Sequence, residues 1–391
     1  MRSIIQIINL VLLIYFFISE YGLRPSKFPI IPNSIRLFIF FLLTSILLST
    51  LVNDYIDEGI LFFIRTALFF LIIYLIFALI KDEQDIKILL SALFITGTAL
   101  FILIFYYLSM TGFNIINFSQ SLELMGEESY IHKNSIGAFF VIIISIMTAY
   151  LFNVDNKKRV FTFIGIIIFI IGLVITNSRG SIASLLISSL YIIYKLNRRA
   201  LIKIIAILCL ILPLIFIDPI YHLLELYLKV DMVASGRDYI LEATFNIIKS
   251  NPIFGIGPTA TSHQMYTYLP FMLGSSQEII FTRHFDVIQY GHAHNFYLFY
   301  YTDLGLPGFI LSIALPVIFL SISNNIAKNF KQSGYQYYWL VVSIQAAGLA
   351  LFIRGLFEWG GILTYGAITA DLPFWWIFCI LLFFNNSLKN A

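Results

Sequence analysis

Charge is scarce in this 391-residue chain: Asp, Glu, Lys and Arg together make up 12% of it, against 60% hydrophobic residues and a mean hydropathy of +0.90. A water-soluble core of ordinary size cannot hide that much apolar surface, so the chain needs lipid as solvent. Cysteine is nearly absent too. Cys209 and Cys379 both sit inside apolar runs, which removes support for a disulfide framework or a cysteine metal site. There is no His-Glu-x-x-His, no Gly-x-Ser-Gly beside the histidines, and no Asp-x-Asp pair on the face where the long polar loops gather, so the usual signs of zinc hydrolysis, intramembrane serine proteolysis and metal-bound diphosphate are missing. A formal charge of +3, scattered in short clusters, gives no reason to expect nucleic acid.

What is present is length without charge. The stretches 3–19, 134–154, 160–178 and 332–353 contain no Asp, Glu, Lys or Arg, and each is near the length that crosses about 30 Å of hydrocarbon. Runs such as Val141 to Ile146, apolar but for Ser145, do not alternate as the segments of a transmembrane barrel do. The expected fold is therefore all-α: a polytopic transmembrane helical bundle of about 11–12 spans forming a single integral membrane domain over 1–391. Spans are expected near 3–19, 37–53, 60–80, 88–109, 134–152, 160–177, 180–195, 200–217, 295–323, 335–357 and 362–385. The first run is short enough for a signal peptide, but no small-residue cleavage site follows, so it is read as a span.

Lys157, Lys158 and Arg159, then Lys195, Arg198, Arg199 and Lys203, then Lys328 and Lys331, mark three connections as cytoplasmic. Alternation places the loops at 53–59, 111–133 and 178–180 on the outer side. A large, partly helical loop over 218–293 joins them there. Within it Asp238 to Ser250 reads as a helix with Ile240, Thr244, Ile247 and Ile248 on one side, stopped by Asn251 and Pro252. All six histidines fall in the long outer loops or at their edge, where they serve proton chemistry or simply reflect where polar residues can live.

Three polar segments on that side are candidates for chemistry. Ser178, Arg179 and Gly180 form a tight turn, and Arg179 either snorkels to the interface or meets an anion that its small neighbours allow to approach. Ser235, Gly236 and Arg237 lead into the loop helix, whose N-terminus favours an anion rather than the arginine itself, so a phosphate there is held by both; a surface pair with Asp238 or Glu242 is the plainer alternative. His292, Ala293, His294 and Asn295 precede the ninth span, where one histidine can act as a general base at the mouth of the bundle. Minor candidates on the same side are Arg65, as a further phosphate contact or a snorkelling residue, and, as cavity residues, His132 with Lys133 and Arg354 with Glu358.

In this order, with Asn251-Pro252-Ile253-Phe254-Gly255-Ile256-Gly257-Pro258 between the second and third segments and Gly305-Leu306-Pro307-Gly308 after them, these motifs resemble the O-antigen polymerase and O-antigen ligase family of bacterial membrane glycosyltransferases. The likeness covers about residues 130 to 325; the first 110 match only as hydrophobic spans.

The resemblance implies glycosyl transfer at the periplasmic face of the cytoplasmic (inner) membrane. The donor is a glycan on undecaprenyl pyrophosphate, and the acceptor is another glycan or lipid A-core. Arg179 and Arg237 would clamp the leaving diphosphate in place of a metal, and no cofactor is called for. His294 would take the acceptor's proton, with inversion at the anomeric carbon. Ser235, Gly236, Asn295, His292, Gly255, Gly257, Arg65 and His132 would contact substrate. Partners would be membrane lipids and, for a polymerase, a regulator of chain length. Polymerase is preferred to ligase because the loop's four basic residues stand against seven acids, a poor match for a phosphorylated lipid A-core. A transporter or flippase of lipid-linked sugars is the alternative of another class. Its expected mark is charge or broken helices near the membrane midplane.

Overall fold

The computed structural model describes residues 2–22, 28–113, 133–202, 237–270, 274–275 and 292–390, all helix, turn or irregular chain with no strand among them. Seven of its helices are long and apolar enough to cross a membrane, as in a multi-pass membrane protein. In chain order the helices are α1 (Arg2–Tyr21), α2 (Asn33–Val52), α3 (Ile56–Leu79), α4 (Glu83–Met110), α5 (Lys133–Leu151), α6 (Asn156–Ile175), α7 (Arg179–Leu196), α8 (Arg237–Ser250), the short α9 (Ala260–Gln264), α10 (Phe296–Ser333), α11 (Tyr338–Arg354) and α12 (Ile368–Asn390). Each expected span has its helix except 200–217, which lies almost wholly outside the described residues.

α5, α7 and α11 form the most closely packed set of three. Small residues permit this closeness. Ser145 and Ser188 share a hydrogen bond of 2.5 Å between α5 and α7, and Ala346, Ala347, Gly348 and Ala350 line the buried side of α11. A methyl group on Gly348 would stand 2.2 Å from the Phe319 ring of α10, so hydrogen is all that fits. By contrast α2, α4 and α6 turn Phe40, Ile95, Ile102, Phe161 and Phe163 outward, as lipid-facing surface requires.

The connections sort into two ends. At one, Lys81 pairs with Glu20 at 2.5 Å and Tyr335 donates to Glu83 at 2.6 Å. At the other, Asn53 meets Gly255, Arg354 reaches Asn134 and Ser181, and Asn295 reaches Leu356. The charge-based alternation of loops required this grouping.

Two spans differ from expectation. α10 is broken at Gly305 (φ 68°, ψ −156°), within what reads in sequence as one continuous span. Residues 355–367, partly assigned to the spans on either side, form an irregular segment between α11 and α12. Its apolar content resembles helix, but positive φ at Gly361 (96°), Tyr365 (48°) and Gly366 (73°) takes the backbone out of the helical region.

Candidate active site

The arginine turn lies between α6 and α7. Asn177 adopts φ 51°, a left-handed conformation that asparagine tolerates, and so reverses the chain within a few residues. Ser178 follows as the N-cap of α7; its hydroxyl bonds Ser181 Oγ at 2.8 Å instead of the helix backbone. Arg179 is the first residue of α7, and its side chain is exposed. The turn sits tight against α5, because a Cβ on Gly137 would fall 2.7 Å from Ser181 Oγ.

Behind the turn lies Arg354, a minor candidate in the sequence. Arg354 closes α11, is 1% exposed, and spends its guanidinium on protein: Nε donates to Ser181 Oγ (3.1 Å), Nη1 to the Gly360 carbonyl (2.7 Å) and Nη2 to the Asn134 carbonyl (2.8 Å). Its charge also faces Glu358. Planar, forked donors allow one side chain to join α5, α7 and the 355–367 segment. The signal available in sequence was an arginine ending a charge-free run just before Gly355 and Gly360-Gly361.

The histidine segment meets the same group from the other side. Asn295 caps α10, its Oδ1 accepting from the Tyr297 and Leu298 amides (2.9 and 3.0 Å) while Nδ2 donates to the Leu356 carbonyl (3.0 Å). The Phe296 amide donates to the Gly355 carbonyl at 2.7 Å. His294 is held at φ 45°, a strained conformation for a non-glycine residue, with both ring nitrogens shielded from solvent. His292 packs on Trp359 (4.3 Å between ring centroids) and edge-on to Phe299 (5.5 Å). Its Nδ1 is shielded and has no hydrogen-bond partner among the described residues. Loss of solvent lowers its pKa from 6.5 to about 4, so it is neutral near pH 7.

Gly255 and Gly257 do something that sequence alone did not give. The break at Gly305 frees backbone groups in α10, and the segment from Pro252 to Gly257 takes them: Ile256 N donates to Thr302 O (2.9 Å), Gly257 N to Asp303 O (3.1 Å) and Leu306 N to Pro252 O (2.9 Å). A Cβ on Gly255 would lie 2.5 Å from Asp303 backbone, and one on Gly305 would lie 2.2 Å from the Ile253 carbonyl oxygen. These glycines therefore permit two backbones to touch. The broken helix expected of a transporter is present, but its freed groups are satisfied by this loop.

α8 begins at Arg237 and buries Ile240, Ala243, Thr244 and Ile247, close to the face expected from sequence. That face packs on Ile256, Ala260 and Met265. Arg65, expected as a phosphate contact, lies over the Phe62 ring (5.1 Å), and its Nη2 donates to the Thr364 carbonyl (3.1 Å). Thr364 is fixed in turn by Asp371, which accepts from its amide and its hydroxyl, both at 2.5 Å. Ser235, Gly236 and His132 lie outside the described residues.

Residues 164–313 match the family model described as O-antigen ligase, a segment that holds the arginine turn, α8, the glycine loop and the histidines. The match supports the O-antigen polymerase and ligase family for this chain, and with it a ligase or polymerase of the glycosyltransferase kind. No curated protein matches the chain.

Proposed function

We propose that this chain, with an O-antigen ligase segment at its centre, polymerises lipid-linked repeat units of O-antigen or a similar surface polysaccharide. The reaction would take place on the periplasmic side of the inner membrane. The observation that carries this reading is the shared support behind two motifs far apart in sequence. Arg354 and the segment that follows it bind Ser181 beside Arg179, and also Asn295 beside His294. A cation for a leaving diphosphate and a base for an attacking hydroxyl thus rest on one support, Arg354 and the residues that follow it.

In this reading Arg179 and Arg237 bind the pyrophosphate of an undecaprenyl-linked donor and neutralise the charge that develops as the glycosidic C–O bond breaks. His294 accepts the proton of the acceptor sugar hydroxyl as its oxygen attacks the anomeric carbon from the opposite face, giving inversion. His292, neutral and packed on Trp359, supports the segment that presents His294. No metal is required where guanidinium groups carry the compensating charge.

The matched family's description favours a second reading, transfer of the finished glycan to lipid A-core by a ligase. Deleting the gene in the producing organism and separating surface glycans on a gel distinguishes the two. A single repeat on lipid A-core is the outcome expected here. Bare core with long polyprenyl-linked chains accumulating indicates a ligase, and an unchanged ladder contradicts both.

A further inference from the structure

The carboxylate of Asp303 lies inside α10, two residues before the break, and is fully buried. It joins two segments, the 259–261 loop and the 355–367 stretch. Oδ2 accepts from the Thr259 amide (2.8 Å) and the Tyr365 hydroxyl (3.1 Å), and Oδ1 accepts from the Thr261 hydroxyl. The Asp303 carbonyl takes the Gly257 amide (3.1 Å) and the Ser49 hydroxyl of α2 (2.8 Å). Thr259 is held at φ 62°, so the loop is bent to present its amide.

From Thr259 and Thr261 the contact continues outward. Ala260, between them, packs with Ile256 and Met265 against Ile240, Ala243 and Ile247 of α8, the helix that starts at Arg237. Asn246 of α8 also donates to the Tyr268 carbonyl at 3.2 Å. In the other direction α10 runs back from Asp303 to its cap at Asn295 and to His294. Asp303 is therefore where the support of the arginine helix meets the helix of the histidine.

We propose that Asp303 is a positioning residue for the transfer: its carboxylate fixes the 255–268 loop, and through it α8 and Arg237, at the separation from His294 that the reaction needs. This rests on the function proposed above. The carboxylate acts through geometry rather than charge. An asparagine can keep the Thr259 and Tyr365 bonds on its carbonyl oxygen and donate from its amide to the Thr261 oxygen, which is able to accept.

Asp303→Ala and Asp303→Asn are compared in a chain lacking Cys209 and Cys379 and carrying Ala260→Cys, a position now 0% exposed. Two quantities are read: maleimide labelling of the purified protein in detergent, and surface polymer in the complemented deletion strain. Asp303→Ala is expected to raise the labelling rate about tenfold or more and to abolish polymer, with Asp303→Asn returning both most of the way. Unchanged labelling or full polymer in Asp303→Ala overturns the proposal, as does an Asp303→Asn protein that behaves like the alanine variant. Should Asp303→Ala not accumulate, Thr261→Val and Tyr365→Phe, each removing one donor, are read by the same two measures. The underlying function fails by a different sign, full polymer in His294→Ala and Arg237→Ala, whatever the labelling.

Discussion

At the scale of single residues, the two histidines of the 292–294 segment differ in environment. Burial holds His292 neutral down to about pH 4, against an ordinary 6.5. As pH falls through that window the unfolded chain takes a proton that the folded chain refuses, so stability conferred by the neutral ring is complete above about 6.5 and is lost towards 4. Activity follows a different rule, because a group that stays neutral contributes no titration step near neutrality. His292→Asn is therefore expected to lower the rate without changing the shape of its pH profile between about pH 5.5 and 8, and a shifted midpoint contradicts the supporting role. Arg179 stands out in sequence as a candidate because it lies in a short polar turn between long apolar runs, and His292 and His294 because they stand where the long polar loop enters an apolar run. Arg354 and Asp303 do so far less. What singles them out is their hydrogen bonds to Asn134, Ser181, Thr259 and Tyr365, partners brought close only by folding.

At the scale of elements, glycines that look alike in the motifs serve different needs. Gly255 has φ 67°, and its Cβ would stand 2.5 Å from Asp303 backbone, so Gly255→Ala combines left-handed strain with a clash against atoms that cannot turn aside. A loss of about 3 kcal/mol is expected, seen as a lower unfolding temperature in detergent. Gly180 lies in the first turn of α7, and its Cβ would meet Glu358 Cγ at 3.5 Å and Arg354 Cγ at 3.6 Å, an ordinary contact. Gly180→Ala should leave stability within about 1 kcal/mol of the parent, or raise it, since alanine suits a helix better. Under the proposed role its methyl group crowds an anion approaching Arg179, so the rate should fall although the fold does not. Equal stability losses in the two variants would contradict this division.

Element boundaries were legible where chemistry changes abruptly. Asn251-Pro252 ends α8; α4, by contrast, starts at Glu83 behind a capping box of Asp82 and Asp85, ahead of the span expected from 88. The break at Gly305 and the irregular 355–367 segment were not legible, because Leu306, Ile362 and Leu363 carry the same apolar signal whether or not the backbone around them is helical. What decides there is partner geometry: the Pro252 carbonyl awaiting Leu306 N, and Asp371 accepting from Thr364.

At the scale of the whole molecule, lipid-facing helices enclose a core rich in Phe, Ile and Leu, and the polar segments gather at one end. The two ends assemble as the distribution of Lys and Arg anticipates, with the arginine turn, the glycine loop and the histidines together and the Lys81–Glu20 pair opposite. That separation makes one central claim testable: glycosyl transfer by arginine and histidine without a metal. The direct measurement is glycosidic bond formation by the purified protein in lipid nanodiscs, given a polyprenyl-pyrophosphate-linked repeat unit in excess chelator, for the parent chain and for His294→Ala. Polymer formed by the parent in chelator, with inversion at the new linkage and a rate at least about a hundredfold lower in His294→Ala, is the predicted result. Product that disappears with chelator, or an undiminished rate in His294→Ala, would contradict it.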